Sequence, residues 1–442
     1  MNKLLDTILK NPFVSYMYSY PHKKAYRDFT EPIDLKMLWR NADRKEITLY
    51  LHIPFCLNKC GYCNLLSTTC FNQRKIKQYV ERMVREIQAV QDFLGLQRNK
   101  KSPFSSVILG GGTPTILGEA ELEKLLLAIS QYLAVDFSTV FFSTETSPRT
   151  LTKGKLELLK AYHLDRISMG IQSFAASELH CIDRKEPLPA IENALELLFA
   201  EDIPVRNLDL IYGIPTQTVE SFKASLERIV AYAPEEVFLY PLYIREKTSL
   251  YANAQRDVKL MCRLYEVGKE FLKDNHYLQT SMRNFIRKDK QKKLFPVYGC
   301  QENEMIGIGC GARSYRGNVH YSRKYAVEEK NINQIIDGYL DETEFDVARY
   351  GYLLDDDELK RRYIIKSILK VTGLDLEAYQ QQLQHSPLDT YEELSFLLEH
   401  SFLMREENRI YPTEKGLMYS DTIGNLFISA AVRQKIADYQ EL

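Results

Sequence analysis

The chain has 442 residues, 45% hydrophobic and 26% charged, with 58 Lys and Arg against 59 Asp and Glu. This length supports a sizeable core and more than one domain, and the formal charge of −1 excludes a general electrostatic footprint for nucleic acid. No run of eighteen apolar residues occurs and the opening "MNKLLDTILKNPF" has no sustained apolar region, so neither a membrane nor a nucleic-acid partner is expected, and the cytoplasm is the expected compartment.

In chain order, "ITLYLHI" reads as a short strand that ends just before "PFCLNKCGYC". Cys56, Cys60 and Cys63 are separated by three and then two residues. Eight cysteines in a chain of this size point to reduced thiols and away from a disulfide scaffold. Three of them this close fit a chance turn, part of a zinc clip, or three ligands of a four-iron cluster whose remaining iron is open.

After the cysteines, "QRKIKQYVERMVREIQAV" carries an apolar stripe at helical spacing. The alternation then repeats: strands "SSVILGGG", "TVFFSTETSP", "DRISMGIQSF", "VRNLDLIYG" and "EEVFLYPLY" are separated by helical segments such as "GEAELEKLLLAISQYL" and "TVESFKASLERIVAYA". Six strand–helix modules from Leu49 to about His276 predict an α/β fold, a parallel sheet curved into a partial barrel. Loops leaving the C-terminal ends of such strands gather over one face. The cysteines, "GGGTP", "TETSP", "GIQSF" and "DLIYGIP" all fall there.

Gly110, Gly111 and Gly112 before Thr113 and Pro114 read either as a tight loop or as backbone shaped to receive the polar end of a small cofactor. Glu145, Gln172, Arg184 and Asp209 lie in different modules. Together they offer carboxylates for ribose hydroxyls and a guanidinium for a carboxylate, a set that suits an amino-acid-bearing nucleoside.

With "YLHIPFCLNKCGYC", "GGGTPT", "ETSP", "RISMGIQSF" and "DLIYGIPTQT" in place, the chain resembles the radical S-adenosylmethionine superfamily, in the branch of oxygen-independent coproporphyrinogen III oxidase, the HemW-type heme chaperones and several radical methylases. The resemblance implies a [4Fe-4S] cluster on Cys56, Cys60 and Cys63 that binds S-adenosylmethionine, with Tyr50 and Tyr62 beside it. It implies that Gly111, Gly112 and Thr113 meet the methionyl amino end. Glu145, Gln172 and Asp209 would hold the ribose region and Arg184 the carboxylate. It further implies a radical SAM enzyme: reductive cleavage to a 5'-deoxyadenosyl radical, hydrogen abstraction from an organic substrate with a tetrapyrrole among the candidates, and a low-potential donor such as flavodoxin or ferredoxin. The expected organisation is an N-terminal extension at 1–45, a radical SAM core at 46–280, a barrel extension at 281–345, and a small, mainly helical or winged-helix-like domain at 346–442.

Two relatives' signatures are incomplete. The oxidase carries a further cysteine two positions after its third, near a second S-adenosylmethionine, where this chain has Leu65. The heme chaperones carry HNxxYW before GxGxGAHS; here the stretch is "VYGCQENEMIGIGCGARSYRG", with Arg313 at the position of the histidine. Heme delivery and radical C-methylation, with heme or a second S-adenosylmethionine bound, are therefore the alternatives, and Cys300, Cys310 and His320 are the soft side chains that heme or a metal would use. The flanks "YSYPHKKAYR", "LYPLYIREKTSL" and "PTEKGL" resemble a smaller branch of the superfamily whose substrate the match does not supply.

Overall fold

A computed structural model describes residues 2–17, 19–40, 47–96, 102–252, 255–293 and 304–441. Thirteen strands form one sheet: β1 (Arg27–Asp34), β2 (Ile47–Ile53), β3 (Phe104–Gly111), β4 (Phe141–Thr146), β5 (Arg166–Gln172), β6 (Val205–Tyr212), β7 (Glu236–Pro241), β8 (Tyr277–Gln279), β9 (Asn284–Arg287), β10 (Met305–Ile308), β11 (Arg313–Arg316), β12 (Val319–Ser322) and β13 (Val347–Leu353). Their order is β1-β13-β12-β11-β10-β2-β3-β4-β5-β6-β7-β9-β8. From β10 through β7 every neighbouring pair is parallel. Antiparallel strands extend the sheet at both ends. The expected partial barrel is present, with helices returning between its parallel strands.

Side-chain alternation gives the sheet two unlike faces. Ile167, Met169 and Ile171, Leu208 and Leu210, and Val237 and Leu239 point into the main core against the helices. Their neighbours Arg166, Ser168 and Gly170, Asp209 and Ile211, and Glu236, Phe238 and Tyr240 line a cavity of about 2120 Å³. The helix Gln73–Leu94 shows how the outer layer is specified. Asn72 caps it by accepting from the Lys75 N–H, Gly95 ends it at φ 57°, and Ile76, Tyr79, Val80, Met83, Ile87 and Val90 form its buried stripe.

The segments flanking the barrel are woven into it. β1 pairs with β13, so the N-terminal extension and the region after 345, expected to be mainly helical, each add a strand to the large sheet. Their seven- and eight-residue stretches are short, and the second half of β1 is mostly exposed, which left little apolar alternation to read. A second small sheet, Leu374–Asp375, Arg409–Pro412 and Leu403–Glu406, stands among the C-terminal helices over a separate apolar cluster. Two polar knots close this cover over the cavity. Glu358 accepts from Tyr20 Oη and, at 2.6 Å, from Ser429 Oγ. Asp421 accepts from Arg283 and Tyr243, while Tyr16 stacks on the Arg283 guanidinium at 4.2 Å. Among the described residues no helix is long and apolar enough to cross a membrane.

Glu86 ties the barrel extension to the barrel. It is buried and accepts from the Gly309 N–H at 2.8 Å, Tyr339 Oη at 2.7 Å and Arg323 Nη1 at 2.9 Å. Removing it leaves the Gly309 N–H and the buried Tyr339 hydroxyl without this acceptor, while Arg323 keeps its second carboxylate, Glu342, at 2.6 Å. Glu86→Ala is expected to lower unfolding free energy by ~2–4 kcal/mol in urea titrations, with a smaller loss for Glu86→Gln, which keeps an acceptor.

Candidate functional site

The cysteine loop is pinned before any ligand is considered. Gly112 donates its N–H to the Ile53 carbonyl at 2.7 Å and Thr113 to the Phe55 carbonyl at 2.9 Å, while Cys56 N–H reaches the Thr68 carbonyl at 3.1 Å. A Cβ on Gly112 would lie 2.7 Å from the Phe55 carbonyl oxygen and 2.8 Å from Cys56 Sγ. Only glycine allows the turn after β3 to press this closely on the cysteine loop. Gly111, at φ +115°, completes the bend, and its N–H donates to Glu145 Oε2 at 3.1 Å.

Each of the three thiols faces a different polar group. Thr113 Oγ1 donates to Cys56 Sγ at 3.6 Å, Arg184 Nη1 donates to Cys60 Sγ at 3.6 Å, and Ser67 Oγ lies 3.9 Å from Cys63 Sγ. Burial pushes the Cys56 thiol up to about 12, and burial with the neighbouring Cys60 also raises Cys63. Among the described residues no three His, Cys, Asp or Glu side chains are placed to hold a single metal ion.

The other expected residues line the same cavity: Tyr50, Tyr62, Gly111, Gly112, Thr113, Glu145, Gln172, Arg184 and Asp209. Gln172 ends β5 at φ +73°, a left-handed conformation costly for a residue with a side chain. The β5–β6 register shifts there. Gly170 makes room for it, since a Cβ at 170 would sit 2.6 Å from Gln172 Nε2, and Gln172 Oε1 is buried without a hydrogen-bond partner. Arg184 is clamped by the Gly170 carbonyl and by Cys60, with Nε 3.5 Å from Glu186 Oε2, too long for a formed hydrogen bond. Asp209 accepts from Asn207 Nδ2 at 2.7 Å and Ser168 Oγ at 3.4 Å.

Glu186, His52 and the Arg166–Glu236 pair escaped sequence reasoning. His52 Nε2 lies 2.8 Å from the Leu66 carbonyl oxygen and Nδ1 lies 3.4 Å from Tyr50 Oη. Burial lowers its pKa to about 4, so the neutral ring donates through Nε2 and fixes the far end of the cysteine loop. Arg166 and Glu236 pair at 2.7 Å on the cavity floor. The "HIPFC" spacing was the available signal for His52; a charged pair between strands seventy positions apart has no local signal. Cys310 is buried against Tyr79 Oη at 3.4 Å, and is not among the cavity-lining residues. His320 lines the cavity, and Cys300 lies outside the described residues.

Glu145 is pushed up to about 7, chiefly by burial and against the pull of the Gly111 N–H. Its folded-state pKa lies above the ordinary 4.5, so its contribution to stability is full below pH 4.5 and is lost as pH rises through 7. In cofactor-free protein, the stability of Glu145→Gln relative to wild type is expected to rise by up to ~3 kcal/mol between about pH 4 and pH 8. Parallel denaturant titrations across that range measure it; a pH-independent difference contradicts the buried-carboxylate account.

The Radical SAM superfamily model matches residues 50–229. The heme chaperone HemW of Synechocystis sp. is 30% identical over 292 residues, which is 62% of this chain and 67% of that protein. The oxygen-independent coproporphyrinogen III oxidase of Escherichia coli is 27% identical, over 95% of this chain and 94% of its own length. The solved structure of Escherichia coli coproporphyrinogen III oxidase (HemN) superposes with a TM-score of 0.77 over 95% of this chain and 98% of that one, at 24% identity.

Proposed function

The chain belongs to the radical SAM superfamily, in the family of HemW and oxygen-independent coproporphyrinogen III oxidase, and we propose that this radical SAM enzyme works on an organic substrate held in the cavity lined by Cys56, Cys60 and Cys63. The observation that carries the reading is that each thiol faces a polar group: Thr113 and Arg184 donate to Cys56 and Cys60, and Ser67 Oγ lies 3.9 Å from Cys63 Sγ. Hydrogen bonds to sulfur set the potential of an iron–sulfur site, and the Cys56 and Cys63 thiols, whose protonated form burial favours, release those protons when metal binds. The residues fit the group. When bound, a [4Fe-4S] cluster and S-adenosylmethionine supply one-electron reductive cleavage to a 5'-deoxyadenosyl radical and hydrogen abstraction.

The side chains have separable tasks. Cys56, Cys60 and Cys63 would hold the cluster. The N–H groups of Gly111, Gly112 and Thr113 are already committed, so this turn would meet an ammonium through its oxygen acceptors, the correct polarity for the methionyl amino end. Glu145 and Asp209, both half-buried carboxyls on the cavity face, would accept from ribose hydroxyls. The orphaned Gln172 Oε1 adds an acceptor beside them. Arg184, already oriented by Gly170 and Cys60, would fork onto the carboxylate and exchange its long contact with Glu186 for a charge-assisted pair. Tyr50 and Tyr62 would wall the site and exclude water.

A tetrapyrrole is among the substrates a cavity of about 2120 Å³ can hold. An electron donor such as flavodoxin or ferredoxin completes the reaction. Heme delivery gains no observation from the HNxxYW region, which is absent as a motif and whose nearest soft residue, Cys300, lies outside the described residues. Methylation with a second S-adenosylmethionine loses its reference cysteine at Leu65.

Two substitutions separate ligand from clamp. After anaerobic reconstitution, Cys60→Ala is expected to lose most of its iron and all cofactor cleavage. Arg184→Ala is expected to keep its iron but bind S-adenosylmethionine about 10–100-fold more weakly, with Arg184→Lys recovering little because an ammonium cannot reproduce the fork. Iron analysis, binding isotherms and 5'-deoxyadenosine yield provide the readouts. Full loading by Cys60→Ala, or wild-type affinity in Arg184→Ala, contradicts the assignment.

A further inference from the structure

The cavity has a second polar wall that the cofactor assignment does not use. His320 lies on β12 directly opposite Tyr315 on β11, with ring centroids 4.3 Å apart, and both residues line the cavity. The imidazole is 1% exposed, and neither Nδ1 nor Nε2 has a hydrogen-bond partner. Burying both nitrogens of a histidine without partners is costly, and native structures satisfy such groups with ordered water, an ion or a ligand. The charged groups whose field reaches the ring are Arg362, Arg313 and Lys366, all cations, which act with burial to hold it neutral. Arg362 and Lys366 lie four positions apart on the helix Asp356–Ile368 and line the same cavity, and the Arg362 guanidinium sits 5.6 Å from the Tyr315 ring.

A neutral imidazole in a field of three cations has one ring N–H to donate, and the surrounding potential favours an anionic acceptor over an amide or hydroxyl. We propose that His320 is the donor of a carboxylate-binding subsite in which Arg362 and Lys366 supply the positive field, and that an acidic substituent of the substrate docks there. The subsite rests on the reading of this cavity as the substrate chamber. It deepens that reading, because one end of the chamber presents thiols and carboxyls to the cofactor while the wall of β11, β12 and the C-terminal cover presents cations to the substrate. Substrates lacking an acidic group lose this anchor, so the subsite selects organic acids.

Glutarate is the probe, and its diamide, glutaramide, is the neutral control. In full-length protein labelled in its histidine rings, the His320 resonance is identified by its loss in His320→Gln. Saturable movement of that resonance with glutarate, little or none with glutaramide, and about tenfold weaker glutarate binding in Arg362→Gln are expected. No saturable movement with glutarate, or equal movement with glutaramide, overturns the subsite, as does hemin binding that needs His320 while glutarate leaves the ring unmoved. The wild-type titration and Arg362→Gln keep the test decisive if His320→Gln fails to fold. Titration requires no turnover, so a negative result leaves the cluster assignment standing. Failure of wild-type protein to load iron or cleave S-adenosylmethionine would defeat the radical reading alone.

Discussion

The close approach of the glycine turn after β3 to the cysteine loop is the contact on which the rest of the site depends. Gly112 has backbone at 2.7 Å and a cysteine sulfur at 2.8 Å from where a Cβ would be, so turn and loop act as one rigid piece. From that piece Thr113 reaches Cys56, and Gly111 reaches Glu145 on the adjoining strand. His52, leaning on the Leu66 carbonyl, secures the far end of the loop. The thiols are thus placed by backbone already committed to the sheet, as a preorganised centre requires.

The second determinant is the two-faced sheet. A parallel sheet covered by helices on both sides is apolar throughout, whereas here helices cover one face and the other carries Arg166, Ser168, Asp209 and Glu236. Those groups remain polar because they pair with one another and face a large cavity. The N-terminal strap and the C-terminal helices then roof that cavity through Glu358 and Asp421. The result is a large chamber with a polar floor under a roof of helices. Partial burial on that floor raises the carboxyls of Glu145 and Asp209 above their ordinary range.

Much of this was legible in the chain. Period-two apolar strands alternating with capped helices specify the barrel, and the C-terminal halves of its strands with the loops that follow, bearing Cys56, Gly112, Glu145, Gln172 and Asp209, specify where the site lies. What was not legible depends on distant partners. The Arg166–Glu236 pair and the Glu186 contact to Arg184 arise from strand order and side-chain reach. β1 and β13 form a ladder across more than three hundred positions from stretches that look unremarkable alone. Arg184 was read as a clamp for a ligand, and the structure adds that its guanidinium is oriented in advance by the Gly170 carbonyl and Cys60. Gln172 could be named from its motif, but its left-handed backbone could not.

The central claim is that Cys56, Cys60 and Cys63 hold a four-iron cluster with one iron open to S-adenosylmethionine. Electron paramagnetic resonance of the one-electron-reduced, reconstituted protein tests it most directly. The account predicts a reduced-cluster signal that changes shape and position when S-adenosylmethionine is added and does not change with S-adenosylhomocysteine at the same concentration. A signal indifferent to S-adenosylmethionine, in protein with full iron and sulfide content, would contradict it.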